Sequence, residues 1–248
     1  MYAGTAGQGI FVSTDAGSHW TPANDGLGEK RVQCLAASRS IPGTLYAGTY
    51  GGVFRSTDGG RSWIEADTGL ANLHVCSLVI DPAVSSLLYA GTYGSGVFCS
   101  TDGGTTWTAA NAGITYANVW ALAVDPASSA IYAGTEGGGV FVSTNGGKRW
   151  AAASAGLTSR NVHSIVIDPI DVSILYAGTY GGGVFCSKNT ATSWTPMNTG
   201  LTTTNVWILA ASHGARTTLF AGTHDGGVFR FIVRADSPLS DGLAEVHP

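Results

Sequence analysis

The sequence predicts an all-β fold: a β-propeller of about six four-stranded blades in repeats of 43–44 residues, the first blade incomplete. Three recurring marks predict it. Tyr-Ala-Gly-Thr begins at Tyr2, Tyr46, Tyr89, Tyr132 and Tyr176 and returns as Phe-Ala-Gly-Thr at Phe220. Ser-x-Asp/Asn-x-x-x-x-Trp runs from Ser13 to Trp20, Ser56 to Trp63, Ser100 to Trp107, Ser143 to Trp150 and Ser187 to Trp194. Gly-Leu or Gly-Ile falls at Gly26, Gly69, Gly113, Gly156 and Gly200. Three marks sharing one period of this length indicate four-stranded units repeated around an axis.

Each unit reads as four short strands. The first is the apolar run after Gly-Leu, as in Val119–Val124 or Val162–Ile167. Asp-Pro ends it at Asp81, Asp125 and Asp168, because proline has no N–H for a ladder and restricts the residue before it. The second strand is Leu-Tyr-Ala-Gly-Thr. A glycine-rich turn such as Gly181-Gly182-Gly183 supplies the positive φ of a tight hairpin. The third is Gly-Val-Phe-x-Ser, and the fourth runs from the Trp toward the next Gly-Leu. No segment shows helical periodicity. The strands are apolar on both faces, as in sheets covered on both sides.

Composition excludes other classes. Thirty-six of 248 residues are glycine, without a three-residue period, so the chain is not collagen-like. Apolar residues make up 44% and the net charge is only −4, against disorder. No apolar run is long enough for a membrane span. No Lys/Arg cluster marks a nucleic-acid groove.

Ser56-Thr57-Asp58-Gly59-Gly60-Arg61-Ser62-Trp63 and Ser100-Thr101-Asp102-Gly103-Gly104-Thr105-Thr106-Trp107 resemble Asp-box motifs, also called BNR repeats. These occur in sialidases, two-propeller xyloglucanases, sortilin-type receptors and a photosystem II assembly factor. The resemblance covers residues 1 to about 234 and is specific for fold rather than activity. It implies that the box joins the third and fourth strands of each blade. Asp15, Asp58, Asp102, Asn145 and Asn189 then accept bonds from turn N–H groups. Trp20, Trp63, Trp107, Trp150 and Trp194 bury their rings. A calcium site would need six to eight oxygen ligands, more than one Asp among glycines offers. Neither a metal nor a cofactor is expected.

The domain reading is a propeller over residues 1–234 and a tail over 235–248. The chain opens at a second strand, Tyr2, so the first unit is one strand short. Asp241-Gly242-Leu243 loosely mimics the next Gly-Leu without a preceding Trp. Either the tail completes the blades or a further strand precedes Met1, and a fragment of a longer propeller is the favoured reading.

Cys34, Cys76, Cys99 and Cys186 lack metal-ligand spacing. Buried thiols are the simplest reading, with a Cys34–Cys76 bridge as the alternative. No leader-like segment opens the sequence. Low lysine content and Ser/Thr/Gly richness point to a secreted or cell-surface protein.

In a propeller the fourth-to-first connections and the second-to-third hairpins share one face, opposite the Asp boxes. Three variable slots fall there. After Ala-Gly-Thr stand Ala6, Tyr50, Tyr93, Glu136, Tyr180 and His224. Opening the first strand stand Gln33, Cys76, Trp120, His163 and Trp207. Two residues earlier stand Arg31, His74, Asn118, Asn161 and Asn205. Variable positions on a constant scaffold are candidates for function.

Tyr50, Tyr93, Tyr180, Trp120 and Trp207 suit stacking on a sugar, with Glu136, His163, Asn161, Arg160 and His224 to orient it. The competing reading packs Trp120 and Trp207 between blades and makes His163 a structural histidine. The functional expectation is a non-enzymatic module binding a glycan or a protein.

A glycoside hydrolase or a fragment of one is the second reading. Against it, the Arg-Ile-Pro motif of sialidases is absent, and Glu29, Glu136 and Asp225 form no evident acid pair. A third reading is a structural interaction module of a larger chain, short of an N-terminal strand or a partner domain.

Overall fold

The computed structural model describes residues 1–214 and 216–233, with the backbone of the strand Ala244–Val246. The described residues form strands and turns in six antiparallel sheets, the blades of a β-propeller. Asp241-Gly242-Leu243 lies outside the described residues. The chain divides into two compact units, residues 1–112 with 117–124, and residues 113–116 with 125–248.

In the first unit, β1 (Tyr2–Gly4), β2 (Ile10–Val12) and β3 (Thr21–Pro22) form a three-stranded sheet. The second sheet is β4 (Val32–Ala37), β5 (Leu45–Thr49), β6 (Gly52–Ser56) and β7 (Ile64–Glu65). The third is β8 (Val75–Ile80), β9 (Leu88–Thr92), β10 (Gly96–Ser100) and β11 (Thr108–Ala109), followed by β12 (Val119–Val124).

The second unit holds β13 (Ile131–Thr135), β14 (Gly139–Ser143) and β15 (Ala151–Ala152), of the sheet ordered β12-β13-β14-β15. The fifth sheet is β16 (Val162–Ile167), β17 (Leu175–Thr179), β18 (Gly183–Ser187) and β19 (Thr195–Pro196). The sixth is β20 (Val206–Ser212), β21 (Thr218–Thr223), β22 (Val228–Ile232) and β23 (Ala244–Val246).

The repeated tetrapeptide has a structural use for every residue. The Tyr46 hydroxyl donates to the carbonyl of Gly103 in the next sheet's box at 2.8 Å, and Tyr2 does the same to Gly59 at 2.9 Å. Ala47 and Ala90 are fully buried. A side chain at Gly48 would run into Cys34 and Val75, and one at Gly91 into Val119, so a glycine lets the following first strand approach. Thr49 Oγ1 donates across its hairpin to Gly52 O at 3.0 Å; Thr92, Thr135 and Thr179 repeat the bond at 2.9 Å.

The Asp box closes its own turn. In the second sheet Ser56 Oγ accepts from Gly60 N at 2.8 Å and donates to Asp58 Oδ1 at 2.8 Å. Asp58 Oδ1 accepts the N–H groups of Arg61 and Ser62, and its Oδ2 accepts the Ser62 hydroxyl at 2.6 Å. Asn145 and Asn189 keep the central bond, accepting from Arg149 N and Ser193 N at 2.9 Å. The box Trp ties its sheet to the one before. Trp63 Nε1 donates to Ala23 O, Trp107 Nε1 to Ala66 O and Trp194 Nε1 to Ala153 O, at 2.8–2.9 Å. The Gly-Leu mark belongs to the same junction: a Cβ on Gly26 or Gly69 would lie 2.1 or 2.3 Å from the carbonyl oxygen of Trp63 or Trp107.

Trp20 departs from the expected burial. It is 39% exposed where Trp63 and Trp107 are 2% exposed. Its sheet is the first described, and its indole turns back to Gly17 O of its own loop at 3.0 Å. The cysteines also differ from uniformly buried thiols. None of the four forms a disulfide; Cys76 and Cys186 are buried, while Cys34 and Cys99 are partly exposed. The Cys34 sulfur itself is buried against Gly48 of the paired strand, which pushes its thiol up to about 12.

Candidate functional site

The hairpin tips and the fourth-to-first connections lie together in each unit, fastened by main-chain bonds. Tyr50 N donates to Arg31 O, Tyr93 N to His74 O and Tyr180 N to Asn161 O, at 2.9–3.2 Å. Three tips are also held by the connection into the next sheet. Gly94 and Gly96 donate to Ala117 O, Gly137 and Gly139 to Arg160 O, and Gly181 and Gly183 to Thr204 O. Arg160 and Asn161 therefore anchor the face through their backbones.

A bulge sits at the opening of the first strand. Pairing with the second strand shifts register between Val32 and Cys34, Val75 and Ser77, Val162 and Ser164, and Val206 and Ile208. The extra residues are Gln33, Cys76, His163 and Trp207. A bulged residue leaves the ladder and its side chain is re-aimed, so this slot varies without disturbing the sheet.

In the first unit these slots gather an aromatic column. The Tyr50 ring stacks on the His74 imidazole with centroids 3.9 Å apart and planes at 22°. His74 lies 5.4 Å from Tyr93, and Trp120 meets Tyr93 edge-on at 5.7 Å. The Arg31 guanidinium covers the outer face of this column, 4.6 Å from the Tyr50 centroid. Arg31 is gripped by Glu29 through two bonds, Nε to Oε1 at 3.1 Å and Nη2 to Oε2 at 2.7 Å. This pairing holds the Glu29 carboxyl down at about 2. Burial, and then the nearby Arg31 charge, hold the His74 imidazole below its usual range.

A second aromatic group stands in the second unit. His163 lies 4.5 Å from Trp207 and 5.9 Å from Tyr180, Tyr180 meets Trp207 at 6.2 Å, and His224 lies 6.1 Å from Trp207. Burial lowers the His163 pKa, and the Glu136 carboxylate opposes it. Tyr50, Tyr93, Tyr180 and Trp207 are each about two-fifths exposed, so the rings offer faces to solvent while resting on one another.

The two groups hold most of the expected stacking and orienting residues. His74 and Arg31 join the first group without having been singled out for it. Their signal in the sequence was the shared slot two residues before the bulge. Asp225 accepts the Thr203 hydroxyl at 2.8 Å. Among the described residues no cluster of His, Cys, Asp or Glu has the grouping of a metal site.

The BNR/Asp-box repeat model matches residues 98–109, the third sheet's box with its flanking strands. The chain has a β-propeller fold and carries an Asp-box repeat. No curated protein matches it. Among solved structures, the propeller is similar to the extracellular domain of BT4673 from B. thetaiotaomicron, with TM-score 0.74 and 22% identity over 92% of this chain and 30% of that one. The propeller is also similar to the GH74 xyloglucanase of Xanthomonas campestris, with TM-score 0.69 and 18% identity over 98% of this chain and 43% of that one. A third likeness is to YCF48 bound to D1 peptide, with TM-score 0.62 and 15% identity over 92% and 73% of the two chains. At these identities the likeness shows the fold alone. The chain spans less than half the length of the first two.

Proposed function

We propose that this propeller is a non-enzymatic binding module and that its hairpin face takes a glycan. One observation carries the reading. In each unit, half-exposed aromatic rings stand on the slots that vary between repeats, stacked on one another and flanked by Glu136, Asn161 or Arg31. Sugar rings present C–H faces to such aromatics and hydroxyls to the polar groups beside them. The xyloglucanase likeness supports a fold suited to saccharides.

Glu29 is held ionised by Arg31, so it is not the protonated carboxyl that a glycosidase needs.

The test is retention on a broad glycan array. Selective binding that falls in Tyr93→Ala with Trp120→Ala, and in Tyr180→Ala with Trp207→Ala, is expected. A blank array, or retention unchanged in both double variants, overturns the glycan reading and favours a protein ligand.

A further inference from the structure

Asn145, in the box between β14 and β15, is the one asparagine of the sequence followed by glycine, and both residues are exposed. The amide of such an asparagine is open to attack at Cγ by the main-chain nitrogen of the next residue, and glycine hinders that nitrogen least. Whether the attack proceeds depends on what holds the nitrogen and on what stands at the amide oxygen.

In three other boxes the nitrogen is held. The residue after the Asp or Asn donates its N–H to the corner between the first and second strands of the same sheet. Gly59 N donates to Gly43 O at 2.9 Å, Gly103 N to Ser86 O at 2.9 Å and Thr190 N to Ser173 O at 3.0 Å. At the box of Asn145 the matching corner residue is Ser129. That corner, from Asp125 to Ile131, is one residue shorter than Asp81 to Leu88 or Asp168 to Leu175, and Ser129 sits at φ +56°. Among the described residues, no acceptor meets Gly146 N.

The leaving amide nitrogen is released in the same way. Asn189 Nδ2 donates to Ser193 Oγ at 2.9 Å. The matching residue after Asn145 is Arg149, whose side chain has donors only. The amide oxygen, by contrast, is bound. Arg149 N donates to Asn145 Oδ1 at 2.9 Å and the Ser143 hydroxyl donates to it at 3.0 Å. Two donors on this oxygen polarise Cγ and stabilise the negative charge that an attack there creates.

We propose that Asn145 is a self-modification site, where the box converts its amide into the carboxylate that Asp15, Asp58 and Asp102 supply in theirs. Gly146 N gives its proton to solvent base and bonds to Asn145 Cγ. The Cγ–Nδ2 bond breaks, and the nitrogen takes a proton from water and leaves as ammonia. Water then opens the five-membered succinimide. Addition at Cγ breaks its bond to Gly146 N and leaves aspartate on an unchanged backbone. Addition at the main-chain carbonyl leaves isoaspartate, with one more methylene in the chain. The fold selects the first route. The donors from Arg149 and Ser143 activate Cγ, and an extra methylene would fall within the turn that Gly147 N closes on Ser143 Oγ at 3.0 Å.

The experiment ages the intact chain in mildly alkaline buffer and follows amide-to-acid conversion by peptide mapping. Two variants supply the comparison. Asp58→Asn and Asp102→Asn each put an Asn-Gly pair in a box whose glycine N–H is held, by Gly43 O or Ser86 O. Position 145 should convert at least about tenfold faster than position 58 or 102 in these variants, where a main-chain hydrogen bond must break first. Its rate should rise with pH, because the attacking nitrogen must lose its proton. Aspartate should outweigh isoaspartate at position 145 in the folded chain, and the order should reverse in urea, where nothing favours Cγ. Equal rates at position 145 and in both variants would overturn the proposal. So would an unchanged Asn145 over a time in which the unfolded chain converts, or isoaspartate as the main product of the folded chain.

Discussion

The indole N–H of Trp107 donates to the carbonyl oxygen of Ala66 across 2.8 Å, joining the third sheet's box to the residue that follows the fourth strand of the second. Trp107→Phe keeps most of the apolar burial and strands that carbonyl. It should cost about 1–3 kcal/mol in denaturant unfolding. Trp107→Ala adds a cavity and should cost about 3–5 kcal/mol. Trp20→Phe removes only a bond within an exposed loop, so its cost should stay within about 0.5 kcal/mol.

Gly69 and Gly181 both hold positive φ, +93° and +86°, but only the first is crowded. A methyl at Gly69 would lie 2.3 Å from Trp107 O, whereas nothing lies within 4 Å of one at Gly181. Gly181→Ala should therefore lose about 1 kcal/mol from backbone strain alone. Gly69→Ala should lose clearly more, as the junction must open. Melting temperatures of the two variants, measured side by side, check the difference.

The Asp-box carboxylates set an acid limit. Hydrogen bonds from His19 hold Asp15 down at about 2, and bonds from Thr106 hold Asp102 there too; Ser62 drives Asp58 further in the same direction. Lowered folded pKa values mean stability fully present above the unfolded value, near 4, and lost as pH falls toward about 2. Asn145 shows that an amide keeps the turn. The triple variant Asp15→Asn, Asp58→Asn, Asp102→Asn should thus fold and show a flatter melting temperature between pH 4 and 2.

His74 should titrate below the ordinary histidine value of about 6.5, because burial and then the Arg31 charge disfavour the imidazolium. Its contribution to stability is present above that value and declines as pH falls below it. In an NMR titration the His74 midpoint should lie under 6.5. Arg31→Ala should move it part of the way back, since burial is the larger cause. A midpoint at or above 6.5 would contradict the packed column around Tyr50.

Much of the fold was legible because the same residue types recur at one period. Val119–Val124 and Val162–Ile167 fall where the apolar runs predict. The junction chemistry was not legible: that Gly69 must be small because of Trp107 O depends on a contact between separate sheets. The exposure of Trp20 was not legible either, since its box resembles that of the buried Trp63. At the candidate site the variable slots were readable, but the stack of Tyr50 on His74 was not. A repeat pattern ranks positions without reporting that a tip residue lies over a connection residue of the next sheet. The bulges at His163 and Trp207 are equally silent in a single strand, since a bulge is a mismatch of counts between two strands.

The fasteners between neighbouring sheets end on main-chain oxygens: Ala23, Ala66 and Ala153 receive the indoles, and Gly59 and Gly103 receive the tyrosines. Every peptide unit carries such an oxygen, whatever its side chain. A duplicated 43-residue segment that keeps its Tyr, its Trp and its junction glycines therefore arrives with both halves of these fasteners.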